Sequence, residues 1–350
     1  MPEKIRVGLA SFGMSGEIFH APLISSNNHF QLRKIMERSS NKSKGRFPDV
    51  EIVRTFSEII EDINIDLVVV NTPDHLHFDM AKEALEKGKH VIVEKPFTIK
   101  STEGETLIEL AKKNGKILSV FQNRRWDGDF LTVKKVVDSN MLGRLVEFES
   151  HYDRFRNYIQ ENTWKEEESI GTGILYNLGA HMIDQALVLF GMPKSVTAHL
   201  GITRSGGRVI DNFDLRMEYE DLKVLIRSGY LVREAGPRYS LHGNMGSFVK
   251  YGIDPQEDML KAGFIPFGND WGKENDDNWG WMNTETKGLH IEGQVETIAG
   301  DYPAFYANIA SAIKEGKPLD VKPEEALNVI KIIELSMQSH EEGKTIQLNL

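Results

Sequence analysis

The run Leu67-Val68-Val69-Val70 has no polar residue and no alternation, so as a strand it needs cover on both faces, the situation of a central strand in a parallel sheet. It sits inside a longer rhythm. From Lys4 to Asn123, short apolar runs bounded by Gly, Pro or Asn alternate with segments of helical period, the pattern of repeated βαβ units. Strands are predicted at Ile5 to Ala10, Gln31 to Glu37, Leu67 to Asn71, His90 to Glu94 and Leu118 to Gln122. Helices are predicted from His77 to Lys87, ending at Gly88, and from Thr102 to Lys113, ending before Gly115.

Beyond about Asn123 the rhythm changes. A helix from Phe130 to Ser139 leads to a strand from Leu145 to Tyr152, and a second helix runs from about Gly179 to Phe190. Strand-like segments follow at Ser195 to Ile202, Phe213 to Tyr219, Lys223 to Tyr230, Tyr239 to His242 and Ser247 to Tyr251. Residues 268–277, rich in Gly, Asn and Asp, read as an exposed loop; helices from Tyr302 to Lys314 and Pro323 to His340 precede a last strand, Thr345 to Asn349. The fold class expected is α/β: a Rossmann domain over residues 1–124, then over residues 125–350 an α+β domain for substrate binding and oligomerisation, built on a large, mostly antiparallel open sheet.

The 350 residues exceed one compact core and suit two domains. With 42 Lys and Arg against 52 Asp and Glu, the net charge of −10 offers no footprint for nucleic acid or an anionic membrane. A small-molecule partner fits better. The chain has no cysteine, which excludes disulfides, thiolate metal sites and cysteine catalysis. No apolar leader and no run of about 18 apolar residues appears, so the expected location is the cytoplasm.

Gly8, Ala10 and Gly13 fill the three small-residue positions of a dinucleotide fingerprint directly after a strand, with a helix beginning near Ser15. The chemistry requires small residues because backbone amides, here those around Ser11, Phe12 and Met14, must approach a pyrophosphate at a helix N-terminus. At the end of the second strand, 24 positions past Gly13, stand Glu37, Arg38, Ser39 and Ser40. Glu37 could accept from both ribose hydroxyls of NAD. Arg38 with the two serines and Lys42 could instead hold the 2′-phosphate of NADP, and NADP is favoured because a carboxylate can turn away while the guanidinium and hydroxyls remain.

The stretch Gly88-Lys89-His90-Val91-Ile92-Val93-Glu94-Lys95-Pro96 puts a lysine just past the C-terminal end of a parallel strand, the edge where such sheets bind ligands. Together with Asn71-Thr72-Pro73 and His77, it resembles the Gfo/Idh/MocA family of oxidoreductases over nearly the whole chain. The resemblance implies that Lys95 lies beside the nicotinamide and the reacting hydroxyl. It also makes Lys95-Pro96 a candidate for a cis bond, which occurs at only about 5% of X-Pro bonds. The family's second signature matches Gly171-Thr172-Gly173-Ile174-Leu175-Tyr176-Asn177-Leu178-Gly179-Ala180-His181-Met182-Ile183-Asp184, and His181 stands where the family's histidine takes the substrate proton. Asn177 replaces the usual aspartate. In a helix, positions 177, 181 and 184 share one face, so Asn177 and Asp184 are expected beside the substrate. An amide can hold a hydroxyl but cannot offset an imidazolium, so Asp184 or Lys95 would have to compensate.

Within the family the chain is most similar to the branch with NADP-dependent scyllo-inositol dehydrogenases. Phe19-His20-Ala21-Pro22-Leu23, Phe121-Gln122-Asn123-Arg124-Arg125-Trp126-Asp127 and Asp153-Arg154-Phe155-Arg156 carry that likeness. It implies Asn123 at the nicotinamide, with Arg124, Trp126 and Asp127 at the substrate; Arg154 is also expected at the substrate, on a position for which the family fixes no role. His75 and His77 are too closely spaced to share a helix face, so no metal is expected, and they are read with Thr72, Pro73 and Glu94 as flanking the cofactor. The expected partners are a polyol or sugar substrate and further copies of the chain, as homodimer or homotetramer. Alternatives are an aldose or keto-sugar reductase and a non-catalytic nucleotide sensor; the presence of both Lys95 and His181 argues against the sensor.

Overall fold

A computed structural model describes residues 3–161 and 163–348, apart from the side chain of Trp164. The chain divides into two units. The first comprises residues 1–126, 255–271 and 301–327, and the second residues 127–254, 272–300 and 328–350. A single cut at 124 therefore does not describe the arrangement, because two later segments return to the first unit.

In the first unit, β1 (Ile5–Leu9), β2 (Phe30–Met36), β3 (Glu51–Val53), β4 (Leu67–Val70), β5 (His90–Val93) and β6 (Leu118–Val120) form one parallel sheet ordered β3-β2-β1-β4-β5-β6. This is the doubly wound order of a dinucleotide-binding domain, with its chain reversal between β1 and β4. All four residues of β4 are fully buried, as its continuous apolar run requires. Helices α1 (Ala21–Ser26), α2 (Ser57–Ile60), α3 (His77–Glu86) and α4 (Ser101–Lys113) connect the strands. The α1 helix continues from a π-helical turn at Gly16–His20. The three-residue β3 escapes the sequence reading because its one buried residue leaves no period to detect.

The second unit begins with α5 (Gly128–Asp138), β7 (Leu145–His151) and α6 (Ala180–Phe190), followed by β8 (Ser195–Gly201), β9 (Asn212–Glu218), β10 (Lys223–Gly229), β11 (Tyr239–Gly243) and β12 (Gly246–Lys250). After α7 (Gln256–Lys261), which belongs to the first unit, come β13 (Gly280–Thr286) and β14 (Leu289–Val295). Then α8 (Tyr302–Glu315) returns to the first unit, α9 (Pro323–Glu342) passes into the second, and β15 (Ile346–Gln347) completes the sheet. Its order is β14-β13-β12-β11-β7-β10-β9-β8-β15, antiparallel except where β7 meets β10. The strand expected to reach Asn349 ends earlier, and Asn349 lies outside the described residues.

The returning segments supply core to the first unit. Phe305 sets its ring against Phe121 (centroids 5.0 Å apart) and Trp126 (5.8 Å), while Tyr306 meets Phe30 (5.6 Å). Gln256 ties them together: its side chain donates to the Trp126 carbonyl (3.0 Å) and accepts from the Tyr302 amide (2.7 Å) and the Trp271 indole (2.9 Å). No helix among the described residues is long and apolar enough to cross a membrane.

Candidate functional site

The candidate groups of the first unit gather at the C-terminal ends of β1, β4 and β5. Ala10 donates its amide to Val69 O (3.0 Å), which starts the turn after β1, and Ser11 Oγ accepts the Gly13 amide (3.1 Å). Helical bonding begins when the Glu17 amide reaches Gly13 O (2.9 Å). The tightest backbone approach falls at Gly16, which the sequence reading passed over. A Cβ there would lie 2.4 Å from Ser11 O and 2.7 Å from Asn71 Nδ2, whereas at Gly13 it would meet only Ser11 Oγ at 3.4 Å. Gly8 serves packing, since a Cβ on it would strike Ile59 Cγ2 at 2.4 Å. The recurrence of glycine three positions after Gly13 was the available signal.

Asn71 donates to Ser11 O (2.9 Å) and thereby joins the two strand ends. Asn71 Oδ1 and Thr72 Oγ1 are buried with no hydrogen-bond partner among the described residues. Orphaned buried acceptors and hydroxyls are costly, so a polar ligand belongs beside them. Phe12 is buried and edges against Phe47 (6.2 Å), Met14 is exposed, Pro73 is half-buried and His75 is exposed.

At the end of β2, the two carboxylate oxygens of Glu37 are taken by their own turn. They accept from Ser40 Oγ (2.5 Å), Lys42 N (2.8 Å), Ser43 N (3.0 Å) and Ser43 Oγ (2.6 Å). Burial alone would raise this carboxyl's pKa, and the donors from Ser40, Ser43 and Lys42 outweigh it and lower it. Arg54 braces the same turn by donating to Glu37 O and Ser40 O, each at 2.6 Å. Arg38 and Ser39 stay exposed, with no hydrogen bond or ion pair among the described residues. A donor set of free guanidinium and hydroxyl beside an occupied carboxylate fits a 2′-phosphate better than a free ribose diol.

Lys95-Pro96 is cis, in agreement with the expectation. Lys95 is half-buried, and Glu94 before it is buried with Oε2 accepting the Lys95 amide (3.0 Å). His77 is buried below this edge, its Nδ1 2.8 Å from Pro96 O and its Nε2 3.0 Å from Thr72 O, so the ring links the ends of β4 and β5. Asn123 is buried. Arg124 pairs with Glu257 (2.7 Å) and Arg125 with Glu325 (2.7 Å) and Asp320 O (2.8 Å), all inside the first unit. Trp126 is half-buried against Phe305.

The second unit carries the other candidates. Ile174 donates to Ile210 O (2.8 Å), and Gly173 beside it has φ +95° with Ile210 O 2.8 Å from any Cβ, so only glycine serves there. A π-helical turn, Leu175–Gly179, then leads into α6. The single α-helical face expected for 177, 181 and 184 is thus interrupted at its start: Asn177 lies in the π turn, half-buried, whereas His181 and Asp184 lie on α6 and are buried. Gln185 anchors α6 by accepting from Tyr239 Oη (2.8 Å) and Arg238 Nη2 (3.3 Å). Asp127 is buried ahead of α5, and the Arg154 guanidinium stacks over Tyr152 at 5.4 Å. Among the described residues no group of three or more His, Cys, Asp or Glu could hold a metal ion.

Residues 5–122 match the NAD-binding Rossmann fold of the Gfo/Idh/MocA oxidoreductases, and residues 134–348 match that family's C-terminal alpha/beta domain. The scyllo-inositol 2-dehydrogenase (NADP(+)) IolW of Bacillus subtilis (strain 168) is 42% identical over 99% of this chain and 96% of its own. The uncharacterised oxidoreductase YdgJ of Escherichia coli (strain K12) is 40% identical over 99% of this chain and 100% of its own. A solved structure from Bacteroides fragilis is 51% identical, covers 99% of this chain and 100% of its own, and superposes with a TM-score of 0.92. With both domain models matched in sequence order, the chain belongs to the Gfo/Idh/MocA family of NAD(P)-binding oxidoreductases.

Proposed function

We propose that the protein is an NADP-dependent dehydrogenase that moves a hydride reversibly between a secondary alcohol of a polyol and the nicotinamide, with scyllo-inositol, oxidised at carbon 2, as substrate. The observation that carries this reading is the pairing of Lys95, on its cis Lys95-Pro96 turn at the β5 edge, with likeness to a scyllo-inositol 2-dehydrogenase over 99% of the chain. The nicotinamide, when bound, accepts or returns the hydride. Lys95 polarises the reacting oxygen, and His181 takes its proton. A well-placed base of this kind contributes about 10² to 10⁴-fold. Asn177 and Asp184 hold substrate hydroxyls, with Asp184 supplying the negative charge that Asn177 lacks.

The pyrophosphate is held over Gly8, Ala10, Ser11, Phe12, Gly13 and Met14. Thr72, Pro73, His75, His77, Glu94 and Asn123 shape the nicotinamide side, and Arg38 and Ser39 take the 2′-phosphate while Glu37 stays with its turn. Asp127, Trp126, Arg124 and Arg154 line the approach of the polyol; in the first unit Arg124 reaches it already neutralised by Glu257. The enzyme works in the cytoplasm as a homodimer or homotetramer. Apolar side chains exposed on the edge strand β14, Leu289 and Ile291, support self-association.

The test is incubation with NADP and scyllo-inositol, other polyols and reducing sugars, following reduced cofactor. Turnover with scyllo-inositol is expected, and Lys95→Ala should abolish it while sparing NADP binding. Binding of NADP without turnover of any polyol or sugar would overturn the enzyme reading. Light scattering that reports a monomer would overturn the oligomer.

A further inference from the structure

Neither the sequence reading nor the function above gives a role to His20 or Tyr306, yet both are fully buried in the first unit behind the β5 edge. His20 Nε2 lies 3.0 Å from Glu94 Oε1, and His20 Nδ1 lies 2.7 Å from Tyr306 Oη. The His20 ring is held against Phe121, with centroids 4.3 Å apart. A carboxylate only accepts, so Nε2 donates to Glu94, and Nδ1 shares the second hydrogen bond with Tyr306 Oη. Glu94 Oε2 accepts the main-chain amide of Lys95. The result is one continuous path, from Tyr306 through His20 and Glu94 to the backbone of Lys95, and His77 grips the following Pro96 carbonyl from the other side.

We propose that His20 is a positioning residue for the reaction: steadied by Tyr306, it fixes the Glu94 carboxylate, which fixes the turn from which Lys95 presents its ammonium group. This rests on the reading that Lys95 serves hydride transfer. A buried carboxylate is tolerated only when its oxygens are occupied by donors, and His20 is the side chain that occupies Oε1. Burial works to raise the Glu94 carboxyl, and the His20 hydrogen bond and charge, with the charges of Lys95 and His77, outweigh it, so the carboxyl is lowered. Without His20 the carboxylate either takes up a proton or turns to find another donor. In both cases the Lys95 amide loses its fixed acceptor, and a shift of about 1 Å at a reacting group costs on the order of 100-fold.

The experiment compares wild type with His20→Leu, His20→Gln and Tyr306→Phe. It measures melting temperature, NADP affinity, kcat and KM for scyllo-inositol, and the Lys95 amide resonance in lysine-labelled protein. His20→Leu should fold, bind NADP within a few-fold of wild type and lose roughly 10- to 100-fold in kcat with little change in KM. His20→Gln, whose amide can still donate to Glu94, should recover most of that loss, and Tyr306→Phe should fall between. The Lys95 amide resonance should move in His20→Leu and Tyr306→Phe. Wild-type kcat in His20→Leu, or equal losses in the Leu and Gln variants, overturns the proposal. If His20→Leu does not fold, an unmoved Lys95 resonance in Tyr306→Phe overturns it instead. If wild type turns over nothing, the parent reading has failed, and the Lys95 resonance still decides whether His20 governs the turn.

Discussion

Arg38 and Glu37 are neighbours with opposite commitments, and the difference makes cofactor choice a property of single residues. Because Glu37 is spent on the 40–43 turn and Arg38 is free, Arg38→Ala should weaken NADP binding by the equivalent of about 1.5–3 kcal/mol, the range for a hydrogen bond to a charged group. It should leave NAD binding nearly unchanged, as parallel fluorescence titrations would show. The sequence favoured Arg38 but did not show what occupies Glu37, because two of its four donors are backbone amides whose direction no side chain encodes. The glycines behave similarly. Gly16→Ala should lower the melting temperature through a clash costing about 1–3 kcal/mol, while Gly13→Ala, with ordinary contact at 3.4 Å, should leave it unchanged. The cis Lys95-Pro96 bond was legible because a short motif carries it; His20 was visible only as part of a motif, since its partner Tyr306 lies 286 residues away.

At the scale of elements, two titrations report on how strands and helices are held. His90 on β5 accepts the Ile117 amide at Nδ1 (3.0 Å), and burial together with Lys116 pushes its pKa down to about 4. The unfolded chain therefore binds this proton more readily, so the contribution is full above pH 6.5 and is lost as pH falls from 6.5 towards about 4. His90→Gln should flatten that part of the stability profile, measured by urea unfolding across pH. Glu257 on α7 is a depressed carboxyl: burial would raise it, but Arg124 and Lys261 bring it down to about 2. Its contribution is present above pH 4.5 and disappears as pH falls to about 2. In Arg124→Met the acid transition followed by circular dichroism should begin at higher pH. Elements with one buried face or a continuous apolar run were legible in the sequence. By contrast, β13 and β14 were not, because the buried face of Gly280–Thr286 is Gly280, Met282 and Thr284, with only Met282 strongly apolar, and Leu289–Val295 has no buried residue at all. The π turns at Gly16–His20 and Leu175–Gly179 were hidden for another reason: they shift hydrogen-bond register without changing residue type.

For the whole molecule, the two-domain order was legible from the change of rhythm near residue 123, but the interleaving was not, since nothing local marks residues 255–271 and 301–327 as belonging to the first sheet. A fragment ending at Trp126 would lack Gln256, Phe305 and Tyr306, and with them the partners of Trp126, Phe121 and His20. It should show no cooperative thermal transition by calorimetry, whereas the full chain should. The same topology sets a clock during translation. The nucleotide-binding unit begins at the N-terminus, yet its last contributing segment, ending at Leu327, emerges 201 residues after Trp126. At about 5–20 residues per second, the ribosome holds the β1 to β6 region incomplete for some tens of seconds, with Phe121 and Phe30 uncovered. For this chain, the sheet that is made first is among the last parts to be finished.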